Sequence, residues 1–217
     1  MNMENPQQVL SQPRWLSHAA RIISIIFHPL FVGVMMVGYI IFIHPDYFIG
    51  FSAKEKMMKL LMVINNNVFF PMLVVVLLKA LGFSSSILLK TQKERIVPYL
   101  ACITFFFWTY YVFKNQAETP RVLVYVCRGM FISVSVALVL NSIYKISMHG
   151  IGIGGAIGMM LFTLSDGSLY SGLPLALTFL ISGLVVTARR IDSDHQWFDI
   201  ITGILLGMGA QLLALWF

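Results

Sequence analysis

Seven long apolar segments, separated by short polar stretches, leave this chain very few ways to fold. They cover residues 22–43, 59–81, 97–113, 122–144, 150–164, 173–187 and 200–217. About 20 apolar residues in a helix cross the hydrocarbon of a bilayer. Inside lipid an open strand would leave backbone polar groups unpaired, so each span is expected to be helical. The composition agrees. Of the 217 residues 58% are hydrophobic and 11% are Asp, Glu, Lys or Arg, against about 25% charged residues in an ordinary soluble domain. Mean hydropathy is +0.82. The expected fold class is therefore all-α, a polytopic transmembrane helical bundle of about six to seven spans. A polar N-terminal segment (residues 1–21) would precede a single membrane-embedded domain (residues 22–217). The first apolar run is too long for a secretory leader and reads as a retained span.

Several features read as packing. In "HGIGIGGAIGMM", Gly150, Gly154 and Gly158 are four apart and form a smooth stripe where a neighbouring helix can approach. No strand precedes these glycines and no lysine follows them, as a nucleotide-binding loop would require. Cys102 and Cys127 both lie in apolar segments and read as small core residues rather than a disulfide or metal pair. His28 with Pro29, and Asn65 to Asn67, read as kink or helix-packing features, and "FFFWTYY" as an interfacial belt or core. Arg128, inside the fourth span, is costly at membrane depth; either it is buried and paired or its helix starts later. The formal charge of +6 sits singly or in short clusters between apolar spans. That pattern suits lipid headgroups or a phosphate-bearing substrate, not nucleic acid.

The polar segments sort by counting crossings. Residues 90–98 ("KTQKERIVP"), 144–150 ("YKISMHG") and 189–203 ("RRIDSDHQWFDIITG") are separated by two spans each. An even number of crossings returns the chain to the same face, so the three share one side. Together they offer Lys90, Lys93, Arg95, Lys145, Arg189 and Arg190 as cations, His149 and His195 as imidazoles, and Asp192, Asp194 and Asp199 as carboxylates. Converging cations suit the non-bridging oxygens of a phosphate. Two imidazoles suit a displacement in which one attacks and the other protonates the leaving oxygen. His195 and Asp199 are four apart; on a helix they share a face, and Asp199 would then orient the ring. Lys145, four residues before His149, would face the same way one turn back along a helix. Gly150 and the amides after it open a helix whose N-terminus favours negative charge.

These residues carry a resemblance. "ARRIDSDHQWFD" resembles the third signature of the type 2 phosphatidic acid phosphatase superfamily, Ser-Arg, five residues, His, three residues, Asp. Arg189, His195 and Asp199 match its spacing, with Ala188 in place of serine. "ISMHG" resembles the second signature, Pro-Ser-Gly-His, at Ser147 and His149, with Ile146 and Met148 departing. The first signature, Lys, six residues, Arg-Pro, is met at Lys90 and Pro98; Val97 holds the arginine position and Arg95 comes two residues early. The resemblance spans roughly residues 90–205. It implies a membrane-embedded helical phosphatase that uses no metal and no cofactor. It implies a phosphohistidine on His195, orientation by Asp199, leaving-group protonation by His149, phosphate binding by Arg189 and hydrogen bonding from Ser147. Lys90 and Arg95 would take the first-signature roles, with Lys145 as a further cation.

The expected function is hydrolysis of a lipid phosphate or diphosphate: phosphatidic acid, phosphatidylglycerol phosphate, polyprenyl diphosphate or a lipid A phosphate. The bilayer would hold the substrate's tail, and the location implied is the bacterial inner membrane. Two other classes remain open at this point. One is a magnesium-dependent prenyl or phospho-alcohol transferase using Asp192, Asp194 and Asp199. The other is a non-catalytic lipid-binding or transport relative. The face also stays open. Nine of the fifteen Lys and Arg fall on the shared side and five on the other, which read alone makes the site cytoplasmic. Removing the four proposed phosphate ligands Lys90, Arg95, Lys145 and Arg189 leaves five against five, and many bacterial relatives place this site outward.

Overall fold

A computed structural model describes residues 13–83, 91–165, 169–192 and 196–216. Among them there is no strand, and the chain forms an all-α bundle. Its helices are α1 (Arg14–Ile26), α2 (Pro29–Ile43), α3 (Ala53–Ala80), α4 (Gln92–Lys114), α5 (Arg121–Asn141), α6 (Met148–Ser165), α7 (Gly172–Asp192) and α8 (Trp197–Leu213). Among the described residues, helices α3 to α7 are each long and apolar enough to cross a membrane. The α1–α2 pair, bent by 54°, is a sixth if taken as one broken span, and α8 is a shorter apolar helix. The protein is a multi-pass membrane protein of this kind. Helix α1 begins at Arg14, inside the stretch expected to be a polar N-terminal segment.

Local chemistry explains the helix starts. Ser52 and Glu55 form a reciprocal capping box at α3, with Ser52 N donating to Glu55 Oε2 (2.8 Å) and Glu55 N to Ser52 Oγ (3.3 Å). Thr91 and Glu94 do the same at α4 (3.0 and 3.2 Å). Each box satisfies amide groups that a helix end otherwise leaves orphaned. Pro29 opens α2, where its missing N–H costs nothing and its ring bars continuation of α1.

Helix α6 is the centre of the bundle, packed between α8, α7 and α2. Its glycine stripe meets a second one on α8. A Cβ built on Gly150 would lie 2.7 Å from the Ile200 carbonyl oxygen, and one on Gly203 2.7 Å from the Ser147 carbonyl oxygen. One on Gly154 would overlap the backbone of Ile204, and one on Gly207 that of Ile151. The stripe read from the sequence thus has Gly203 and Gly207 as its counterpart. Lipid tails are as apolar as leucine, so close backbone approach of this kind is a main source of helix association in membranes.

Buried polar groups tie the remaining helices. Thr109 Oγ1 donates to Asn67 Oδ1 (2.7 Å), joining α4 to α3 where residues Asn65–Phe69 form a π-helical turn. Gln211 of α8 donates to the Val126 carbonyl of α5 (3.3 Å). Arg128 is buried within α5, whose helix begins at Arg121; among the described residues it meets the Ala214 carbonyl and forms no ion pair, so the buried half of that reading holds and the paired half does not. Phe70 stacks on Phe105, and Phe107 packs on Phe131, so part of the aromatic run lies between helices; Trp108 and Tyr111 face outward.

The glycine contact makes a specific demand. Gly154→Ala and Gly207→Ala each force backbones apart and are expected to destabilise the protein by about 1–3 kcal/mol. Gly209→Ala, where an added Cβ meets nothing within 4 Å, should be neutral or stabilising by up to about 1 kcal/mol. Thermal unfolding of the three detergent-solubilised variants checks this ordering.

Candidate active site

The three polar segments expected to share a face do meet at one end of the bundle. Gln92 Nε2 donates to the Asn141 carbonyl (2.8 Å), and Asn141 Nδ2 donates back to the Gln92 carbonyl (2.9 Å), joining the start of α4 to the end of α5. Arg95, 7% exposed, donates from Nη1 to the Ile146 carbonyl (3.1 Å) in the linker that precedes α6. In that linker Ser147 N donates to the Asp199 carbonyl of α8 (3.1 Å).

Ser147 is fully buried, and its Oγ accepts from Gly150 N (3.2 Å). Its carbonyl takes the first helical bond of α6, from Ile151 N (3.0 Å). Ser147 is therefore the cap of α6, the residue type a helix start prefers. At α8 the cap is Gln196, and Asp199 Oδ2 accepts from Gln196 N (3.0 Å). Helix α8 begins at Trp197; His195, which the sequence pairs with Asp199 on one helical face, lies outside the described residues.

His149 lies in the first turn of α6. Its Nε2 is 3.0 Å from the Ser24 carbonyl of α1. A carbonyl can only accept, so Nε2 carries the proton in this contact. The contact exists because α1 breaks there. Phe27 N bonds to the Ile23 carbonyl (2.9 Å) and His28 N to the Ile25 carbonyl (3.2 Å), so neither takes up the Ser24 carbonyl. His28 follows the break, accepts from Leu30 N through Nδ1 (3.4 Å), and turns its ring edge-on to His149 with centroids 5.7 Å apart.

Arg189 belongs to the last turn of α7, which runs to Asp192 rather than stopping near Thr187. Its Nη1 lies 3.5 Å from Ser24 Oγ, so Ser24 touches both Arg189 and His149. Arg189 is within electrostatic reach of Asp192, Arg95 and His28, and Arg95 within reach of Asp199. Asp192 pairs with Arg21 of α1 at 3.6 Å. Counting these described groups, the cations are Arg21, Arg95 and Arg189 and the carboxylates Asp192 and Asp199. Asp192 offsets part of the charge of Arg189 and Asp199 part of that of Arg95, while Arg95 repels Arg189; planar guanidinium forks beside a hydrogen-bonded imidazole suit a multiply charged anion.

Of the residues singled out in the sequence, Arg95, Ser147, His149, Arg189 and Asp199 are joined in this cluster. His195 and Lys90 lie outside the described residues, as does Asp194. Lys145 sits in a non-helical stretch before α6, so it does not stand one helical turn behind His149, and it makes no hydrogen bond or ion pair among the described residues. Sequence reading missed Ser24 and His28. A histidine placed inside an apolar span, where its polar ring is costly, was the available signal. Among the described residues no three His, Cys, Asp or Glu side chains converge as a metal site. No family model, no curated protein and no solved structure matches this chain.

The roles of Arg95 and Ser147 in holding the linker can be weighed directly. Ser147→Ala removes the cap of α6 and should cost about 0.5–2 kcal/mol. Arg95→Met leaves the buried Ile146 carbonyl without this donor and should cost about 1–3 kcal/mol. Arg190→Met, at an exposed position over the Trp197 ring, should cost less than either. Unfolding midpoints of the three variants give the ranking.

Proposed function

We propose that this end of the bundle hydrolyses a phosphate or diphosphate ester on a membrane lipid. The observation that carries the reading is the meeting of Arg189 and His149 on Ser24, with Arg95 in the same field. Arg189 and Arg95 bind non-bridging oxygens of the phosphate, because planar guanidinium forks fit them and keep their charge. His195, whose role rests on the signature spacing, attacks phosphorus. The bond from phosphorus to the lipid oxygen breaks as the bond to nitrogen forms. His149 hands its proton to that leaving oxygen. With Nε2 held by the Ser24 carbonyl, the proton passes from Nδ1 of the doubly protonated ring. Water then attacks the phosphohistidine, His149 takes up the water's proton, and inorganic phosphate leaves. Asp199 steadies His195. No step draws on a metal ion.

Two features support a lipid as the substrate. The charged cluster lies at the ends of membrane helices, where headgroups are found. One residue from His28 begins an apolar cleft of about 110 Å³ lined by Phe27, Val32, Met36, Ile153, Ile181 and Met160, between the α1–α2 break, α6 and α7. Such a cleft suits the first part of an acyl or prenyl chain while the head reaches Arg189. The signature resemblance carries the further expectation of a bacterial inner membrane with the site facing outward.

The test is release of inorganic phosphate from phosphatidic acid, phosphatidylglycerol phosphate, polyprenyl diphosphate and lipid A phosphate, with EDTA present throughout. The wild-type protein should turn over at least one of them. His149→Ala should lower the rate by about 10²–10⁴, and His195→Ala should reduce it to background. Turnover that EDTA abolishes, or that persists unchanged in His195→Ala, defeats the reading.

A further inference from the structure

The other end of the bundle carries a second charged site. Helix α4 ends at Lys114 and α5 starts at Arg121, and between and beneath them lies a cavity of about 300 Å³. That is room for roughly ten water molecules. Its lining includes Lys114, Gln116, Thr119, Arg121, Tyr125 and Arg128, three cations and, among the described residues, no carboxylate. Arg121, Tyr125 and Arg128 are spaced four and three apart and so form one stripe of α5.

Arg128 stands about 10 Å along the helix from Arg121 and is 8% exposed. One nitrogen, Nη1, donates to the Ala214 carbonyl (3.0 Å). The guanidinium lies 5.2 Å from the Tyr110 ring centroid and 5.5 Å from that of Tyr125. Its Nε is buried and has no hydrogen-bond partner among the described residues. Among those residues no carboxylate lies within 4.0 Å of Arg128, Arg121 or Lys114. Lys59 of α3 adds a fourth cation at the rim, donating to Thr119 Oγ1 (2.8 Å) and Gln116 Oε1 (3.2 Å). Glu55 of α3 and Glu118, in the exposed loop, are both in electrostatic reach of Lys59.

A guanidinium at this depth is expensive, and carbonyl and ring contacts answer only part of its charge. The amides at the start of α5 bring the positive end of a helix dipole to the same cavity, and the C-terminal turn of α4 brings a negative end that Lys114 answers. We propose that this cavity binds a phosphate-bearing anion, the headgroup of an anionic phospholipid or free phosphate, with Arg128 beneath it and Lys114 and Arg121 at its rim. The site is separate from the cluster around His149, which lies at the opposite end of α5 and α6.

The test uses the full chain in phosphatidylcholine nanodiscs, with thermal unfolding and native mass spectrometry of retained lipid as readouts. One arm adds phosphatidylglycerol to the nanodisc, and the other titrates inorganic phosphate into nanodiscs lacking it. Both arms are run on the wild type, on Arg189→Gln to disable the other end, on Lys114→Gln/Arg121→Gln, and on Arg128→Gln. Stabilisation by phosphatidylglycerol, kept in Arg189→Gln and weakened on the order of tenfold in the rim double variant, supports a headgroup site. The same pattern with inorganic phosphate supports the site with free phosphate as its ligand. Equal responses in the wild type and the rim double variant, or no response to either anion, overturn the proposal. The rim variant decides the matter even if Arg128→Gln fails to fold.

Discussion

The contact between α6 and α8 is the constraint on which the rest of this molecule depends. Two glycine stripes let backbone meet backbone, with Gly154 against Ile204 and Gly207 against Ile151. A glycine in a helix interior costs about 1 kcal/mol relative to alanine. In water a bundle could replace such a contact with larger apolar side chains. In lipid it gains little by doing so, and dense packing between helices carries the association. The consequence for chemistry lies at the top of the seam. Gly203 packs on the Ser147 carbonyl, and Ser147 N bonds the Asp199 carbonyl. The cap of α6 and the first turn of α8 are held together by the same close approach, which sets where His149 and Asp199 begin.

A second organising fact is how the chain handles polar groups it cannot place in water. Asn67 accepts from Thr109, Gln211 reaches the Val126 carbonyl, Arg95 reaches the Ile146 carbonyl and Arg128 the Ala214 carbonyl. Each of these bonds runs from one helix to another helix or to a linker, so each fixes a neighbour as well as satisfying a donor or acceptor. Neutral amides and hydroxyls serve this purpose at Asn67, Thr109 and Gln211, and guanidinium groups at Arg95 and Arg128. The two kinds differ in cost, because a buried amide needs only hydrogen bonds whereas a buried charge needs a counter-charge, a dipole or a ligand.

Much of this was legible from the residues alone, for identifiable reasons. Hydropathy locates spans because a bilayer tolerates little but helix, and the parity of crossings then brings residues 90–98, 144–150 and 189–203 to one end without any contact being known. The glycine spacing announced a close neighbour. It could not say which, because Gly203 and Gly207 carry no signal until α8 is laid against α6. Helix boundaries were the weak point. Arg189 was read as lying past a helix end and is in its last turn, and Lys145 was read as helical and is not. A capping residue such as Gln196, which is not among the usual caps, gives composition little to mark the start of α8. Arg95 sits two residues from the signature position, yet a buried arginine is defined by what its long side chain reaches, and sequence spacing does not record reach.

The break between α1 and α2 shows most plainly why His28 and Ser24 escaped notice. Read as a line of residues, His28 and Pro29 announce a kink, and a kink is a sufficient explanation of both. In three dimensions the kink has a product. Ending α1 at Ile26 withdraws the amide that would have met the Ser24 carbonyl, and an orphaned carbonyl near hydrocarbon must find another donor. It finds His149 Nε2, from a helix 125 residues later in the chain. That bond assigns the proton to Nε2 and ties the ring to Ser24, whose hydroxyl also meets Arg189. A proline that reads only as a helix breaker thus sets the tautomer of an imidazole on another helix, through a single carbonyl that the breakage left exposed.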